Sequence, residues 1–330
     1  MNGKRRFIVS DSSTLFDITL YRNVTVLRGY GGSGKTRLHK FISEADKKGS
    51  GVHLTDTTSN VIAASDDFLE RDLRRYRGTD TIFVFDEDFP YFSSNEFREA
   101  ITTTGCYFLI ISRGSFSGFG VSTKEIYELD HKKNADLNKE VYILKPCYPN
   151  IVIGSVENKV HVITEDSGAG FQLFERILPG EDETGRKYVV SAHGKSNVAD
   201  FIMQNPNSLI FVDGAAFGFD LQDALAAAET YNCTIIALES FEYCILRSGI
   251  VTLPSDTDLD APCVNYNKCL TWEQYYTDLL EELTQGTPLQ YSKFSLNRRY
   301  SAYANASRIM AVYNQAAEPI SYATSKTAYF

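Results

Sequence analysis

The sequence predicts an α/β protein of two domains, and three observations carry that expectation. Strand-like apolar runs alternate with helix-like runs through most of the 330 residues, the rhythm of domains built on largely parallel sheets. A glycine-rich octapeptide, residues 29–36, stands between one apolar run and the helical pattern that follows it. Carboxylates recur where apolar runs end, at Asp86, Glu165 and Asp213. The length suits two domains better than one. An apolar fraction of 43% with 13% aromatics is enough to fill two cores.

In order along the chain, strands are expected near residues 7–10 and 15–20, then at Val24-Thr25-Val26-Leu27. A helix follows to about Lys47, with Leu38, Phe41 and Ile42 at helical spacing. Gly49-Ser50-Gly51 interrupts the pattern. One strand is expected within residues 52–64, then a helix over 66–76 with Ser65 as its N-cap. Thr81-Ile82-Phe83-Val84-Phe85 reads as a buried strand, Ser93 to Glu96 as a capping box opening a helix, and residues 106–111 as another buried strand. The charged stretch 130–136 reads as a loop before a strand near 141–144, and the proline pair around Cys147-Tyr148 as a boundary. The domains are therefore set at 1–148 and 149–330. The second repeats the alternation, with strands at 161–164, 188–191, 209–212 and 234–238 and helices between them. Helices near 271–284 and 299–313 close it.

The octapeptide Gly29-Tyr30-Gly31-Gly32-Ser33-Gly34-Lys35-Thr36 fits G-x-x-x-x-G-K-[ST], the phosphate-binding P-loop, in its strand–loop–helix setting. Glycines let successive N–H groups converge on one anion, and the helix N-terminus adds partial positive charge. The loop and its neighbour Arg37 would surround the phosphates of ATP, with Lys35 reaching the β- and γ-phosphates. Thr36 would hold Mg²⁺. Phe83-Val84-Phe85-Asp86-Glu87 has the form of a Walker B strand. Asp86 would orient Mg²⁺, and Glu87 would polarise the attacking water. The intervening strand and helix resemble the additional-strand P-loop ATPases, the group of the RecA-like and AAA-type enzymes. That resemblance implies a polar γ-phosphate sensor at Ser112. Arg113 is either an arginine finger facing a neighbouring subunit or a surface or structural arginine. No N-K-x-D guanine motif and no L-S-G-G-Q occur, so adenine is the expected base.

In the second half, Glu165, Asp213 and Glu239 or Glu242 end parallel strands, where ligands of open α/β sheets bind. Two readings stay open. The carboxylates form a second divalent-metal site, with Glu242 as the third ligand, or they cap helices and hold turns. The layout resembles the Toprim domain, which implies a metal-dependent activity on nucleic acid; Ala215 stands where that pattern has its second aspartate. Lys293, Arg298, Arg299 and Arg308, interleaved with Tyr291, Phe294, Tyr300, Tyr303 and Tyr313, read either as a nucleic-acid patch or as a helix packing its tyrosines inward.

Thr164-Glu165-Asp166-Ser167, Gly194-Lys195-Ser196-Asn197, Asp213 to Gly218, Glu239-Ser240-Phe241-Glu242 and Thr271-Trp272-Glu273-Gln274 together resemble a family of bacterial P-loop proteins often labelled translation initiation factor 2. That label implies a GTPase delivering initiator tRNA.

The fold expected overall is a RecA/AAA-like P-loop NTPase domain followed by a Toprim-like α/β domain with C-terminal helices. The function expected is an Mg²⁺-dependent ATPase whose nucleotide state controls the second domain. A metal-dependent nucleic-acid enzyme and a non-hydrolysing nucleotide-gated adaptor are the alternatives. Partners are nucleotide and, through the second domain, nucleic acid or protein; oligomers are allowed. A net charge of −9 offers no general attraction to nucleic acid or anionic membrane. The six cysteines include no C-x-x-C pair, and no run is long enough to span a bilayer, so the expected compartment is the cytoplasm.

Overall fold

The protein is described here by a computed structural model. It describes residues 4–29, 31–45, 47–55, 57, 59–64, 73–87, 89, 92, 94–113, 120–134, 138–148, 152–153, 159, 161–255, 257, 259 and 271–316. The chain divides into two compact units, one spanning Met1–Tyr148, the other Pro149–Leu259 with Thr271–Phe330.

The first unit is a nine-stranded mixed sheet. Its strands are β1 (Arg5–Ser10), β2 (Thr14–Leu20), β3 (Val24–Arg28), β4 (His53–Thr55), β5 (Asn60–Ala64), β6 (Thr81–Phe85), β7 (Tyr107–Ser112), β8 (Ile126–Asn134) and β9 (Lys139–Pro146). Their spatial order is β4-β1-β2-β9-β8-β3-β7-β6-β5. From β8 to β5 every pairing is parallel, while β8–β9, β1–β2 and β1–β4 are antiparallel. Helix α1 (Lys35–Ala45) covers one face, burying Leu38, Phe41 and Ile42 in a core with Ile82, Val84, Leu109 and Ile111. The alternate residues Phe83, Phe85 and Phe108 point the other way, toward Phe97 of α2 (Asn95–Thr104). β6 is buried along its whole length because both faces are covered.

Three expectations change here. Residues 52–64 carry two strands, and β4 joins the antiparallel edge while β5 joins the parallel one. The charged stretch 130–136 contains strand through Asn134, paired with β9 in a hairpin. Its lysines are exposed at the far end of the strand, which gives that end the composition of a loop, while Ile126 and Tyr127 at its start are buried. The cap of α2 is Ser94, whose side chain accepts from the Phe97 N–H. The expected Ser65 cap and most of its helix lie outside the described residues.

The second unit holds a five-stranded sheet made of β10 (Val152–Ile153), β11 (His161–Thr164), β12 (Val189–Ser191), β13 (Ser208–Asp213) and β14 (Thr234–Leu238). The order is β10-β14-β13-β11-β12, with only β10 antiparallel. The helices are α3 (Ala169–Ile177), α4 (Val198–Gln204), α5 (Leu221–Thr230), α6 (Phe241–Arg247), α7 (Trp272–Thr284) and α8 (Tyr303–Ala316). Phe174 of α3, Phe211 of β13 and Tyr313 of α8 pack ring to ring. The Trp272, Tyr276 and Leu280 stripe of α7 is buried core. Among the described residues no helix is long and apolar enough to cross a membrane, and the four described cysteines are free thiols.

Candidate nucleotide and carboxylate sites

In the first unit, β3, β6 and β7 run parallel and end on one edge. Arg28 pairs with Ser112, and Phe85 with Ile110. The glycine loop leaves β3 at this edge. Gly29, Gly32 and Gly34 have φ of +147°, +84° and +94°, a region that side chains with a Cβ resist. Gly31 and Gly32 are exposed, Ser33 and Gly34 partly covered, and Tyr30 lies outside the described residues. The Gly34 carbonyl accepts the Leu38 N–H at 3.0 Å, so the loop passes directly into α1.

Lys35 is 5% exposed. Its ammonium donates to the Gly29 carbonyl at 2.5 Å and to Ser33 Oγ at 3.0 Å. It therefore sits inside the curl of the loop. Burial lowers its pKa; the Glu87 carboxylate opposes that shift, the Arg113 guanidinium adds to it, and Asp86 again opposes it. Loop lysine, both Walker-type carboxylates and Arg113 thus occupy one electrostatic neighbourhood.

Asp86 and Glu87 follow β6 directly, and Asp86 Oδ1 accepts the Glu87 N–H at 2.9 Å. Glu87 Oε1 is ion-paired to Arg113 Nη2 at 2.6 Å, with the glutamate side chain 15% exposed and the arginine 67%. Arg113 thus has its partner within its own chain, the structural alternative. Ser112 is buried at the end of β7. Thr36 is exposed in the first turn of α1. Arg37 is engaged elsewhere, at 3.6 Å from Asp11 and 3.4 Å from Ser13 Oγ, and over the ring of Phe41.

Two contacts here were not anticipated from sequence. One is the Arg113–Glu87 pair. The other is the approach of the β8–β9 hairpin to the loop: a Cβ placed on Gly34 would lie 3.2 Å from the Tyr142 ring and 3.7 Å from Leu129.

In the second unit the expected carboxylates do gather at the sheet edge, but protein donors occupy them. Glu165 Oε2 accepts the Asp213 N–H at 3.0 Å, Asp213 Oδ1 accepts the Phe241 N–H at 3.2 Å, and Glu242 Oε1 accepts the Tyr291 hydroxyl at 2.7 Å. Lys293 pairs with Glu273. Burial raises Glu165 to about 8, against the opposing Asp213 N–H, and Glu273 and Asp166 push it further up. Asp213 is raised by burial and then by Glu273, Glu165 and Glu242. Burial also raises Glu242, and Lys293 and the Tyr291 hydroxyl hold it back.

Among the described residues no three His, Cys, Asp or Glu side chains form a group suited to a metal ion. Asp213 receives the first N–H of α6, and the Asp166 carboxylate accepts the N–H of Gly168, the residue before α3. Ala215 is fully buried, and its N–H is tied to the Glu239 carbonyl at 2.6 Å. A second aspartate there would be buried against backbone.

Of the aromatic and basic residues near the C-terminus, Tyr291, Tyr300 and Tyr313 are core, while Phe294 and Tyr303 are exposed at 86% and 65%. Lys293 is spent on Glu273.

Compared with protein-family models, curated proteins and solved structures, the chain matches none.

Proposed function

We propose that the first unit binds ATP with Mg²⁺ and hydrolyses it, and that its nucleotide state controls the second unit. The observation that carries this reading is the placement of Lys35 in the glycine loop beside the Asp86-Glu87 strand end, with Arg113 within ion-pairing reach of Glu87. Backbone N–H groups at the start of α1 favour a bound polyphosphate. Lys35 would exchange its two loop acceptors for phosphate oxygens, a stronger, charge-assisted pairing. β7 lies between β3 and β6, which supports the additional-strand reading. When bound, Mg²⁺ would neutralise phosphate charge between Thr36 and Asp86. Glu87 would accept hydrogen-bonding from the attacking water once its carboxylate is released from Arg113, whose guanidinium could then face the γ-phosphate.

That same ion pair favours a second reading, a nucleotide-gated adaptor without turnover, in which Arg113 keeps Glu87 from acting on water. One experiment separates the two: Mg²⁺-dependent binding and phosphate release, with ATP against GTP, for wild type, Lys35→Ala and Glu87→Gln. ATP turnover lost in both variants, with binding kept in Glu87→Gln alone, supports the ATPase. Tight ATP binding with no turnover in wild type supports the adaptor. No binding of either nucleotide refutes both. Hydrogen exchange of the second unit with and without ATP tests the control it is assigned.

A further inference from the structure

Three rings line up across three strands beside the glycine loop. Phe16 of β2 faces Tyr142 of β9 in register, and Tyr142 faces His131 of β8. The Phe16 and Tyr142 centroids are 4.8 Å apart at 27°, and those of Tyr142 and His131 are 5.3 Å apart at 22°. Phe16 is fully buried, Tyr142 partly covered and His131 exposed. The stack therefore begins in the core and ends in solvent, each ring braced by the one beneath it.

The stack adjoins the loop. Tyr142 lies against Gly34, the last glycine before Lys35, and Phe16 packs edge-on against Phe41 of α1. The helix whose first turn would hold the phosphates thus rests on the same sheet face as the rings. Tyr142 donates its hydroxyl to Glu140 Oε2 at 3.3 Å, which restrains the middle ring. An exposed aromatic face on paired strands beside a polyphosphate cradle is suited to a planar, weakly polar ligand group.

We propose that the outer face of His131, backed by Tyr142 and Phe16, is the platform on which the purine base of the bound nucleoside triphosphate stacks. The proposal rests on the nucleotide reading of the loop and adds to it the base subsite. Stacking suits any base but favours the larger purine surface.

The test is titration calorimetry with Mg²⁺ on the full chain, comparing ATP, CTP and inorganic tripolyphosphate for wild type, His131→Ala and His131→Phe. Because His131 is exposed, its replacement leaves the core intact. The expected result is that wild type binds ATP more tightly than CTP, that His131→Ala weakens ATP about tenfold while leaving tripolyphosphate unchanged, and that His131→Phe restores ATP. A 2-aminopurine riboside triphosphate should be quenched on binding wild type, and less so on binding His131→Ala. Unchanged ATP affinity in His131→Ala, or equal loss for ATP and tripolyphosphate, would overturn the platform and leave the nucleotide reading standing. Wild type binding neither ATP nor tripolyphosphate would overturn both.

Discussion

Replacing Glu165 by Gln should change how the stability of the second unit depends on pH. Glu165 ordinarily ionises near 4.5, and in the folded chain burial raises it to about 8. Between those values the folded state holds a proton that the unfolded state has released, so stability falls as pH rises. Below 4.5 both states are protonated and nothing is lost; above about 8 both are ionised and the loss is complete. From pH 6 to pH 8 this one group removes about 2 kcal/mol. For a unit of this size that is a drop of about 4–8 °C in Tm. Asp213, Glu242 and Asp166 are shifted the same way and add to the slope. Gln keeps an oxygen to accept the Asp213 N–H but has no proton to lose. The chain has a single tryptophan, Trp272, 1% exposed within the second unit, so its fluorescence reports that unit's melting. Wild type should melt lower at pH 8 than at pH 6, and Glu165→Gln should recover several degrees at pH 8. A wild-type Tm that rises with pH, or a slope unaltered by Glu165→Gln, would refute the reasoning.

Other substitutions test the rest of the fold. Gly214→Ala would place a Cβ 2.6 Å from the Leu238 carbonyl and 2.8 Å from that of Ala237, and should cost about 1–3 kcal/mol in urea unfolding followed at Trp272. Tyr291→Phe removes the hydrogen bond that the Tyr291 hydroxyl donates to the Glu242 carboxylate, whose other oxygen has no side-chain partner among the described residues; it should destabilise by about 1–3 kcal/mol and steepen the fall of Tm with pH. Phe97→Ala opens a hole among Phe85, Phe89, Phe92 and Phe108 and should lower stability by about 3–5 kcal/mol in chemical unfolding followed by circular dichroism, with ATP binding weakened as β6 loosens.

Much of the fold was legible because short-range physics writes it. The buried strands β3, β6, β7, β13 and β14 are continuous apolar runs, and the glycine loop announces itself by residue type. The hairpin β8–β9 was missed in its first half because Lys132 and Lys133 point to solvent there, and an exposed strand end has the composition of a loop. The second-unit carboxylates were placed at the correct sheet edge. Their occupation by the N–H groups of Asp213 and Phe241 and by the Tyr291 hydroxyl could not be foreseen, since those donors come from 28 to 49 residues away in sequence.

The sequence by itself determined the alternation of strands and helices, the backbone freedom of the loop at Gly29, Gly32 and Gly34, and the acidic end of β6, all of which depend on neighbours along the chain. Only the tertiary structure decided that Arg113 holds Glu87, that Tyr142 stands beside the loop with His131 stacked on it, and that Glu165, Asp213 and Glu242 each accept a hydrogen bond from a protein donor. Those are contacts between strands distant in sequence, and their partners are chosen by sheet order and register, which no local pattern encodes.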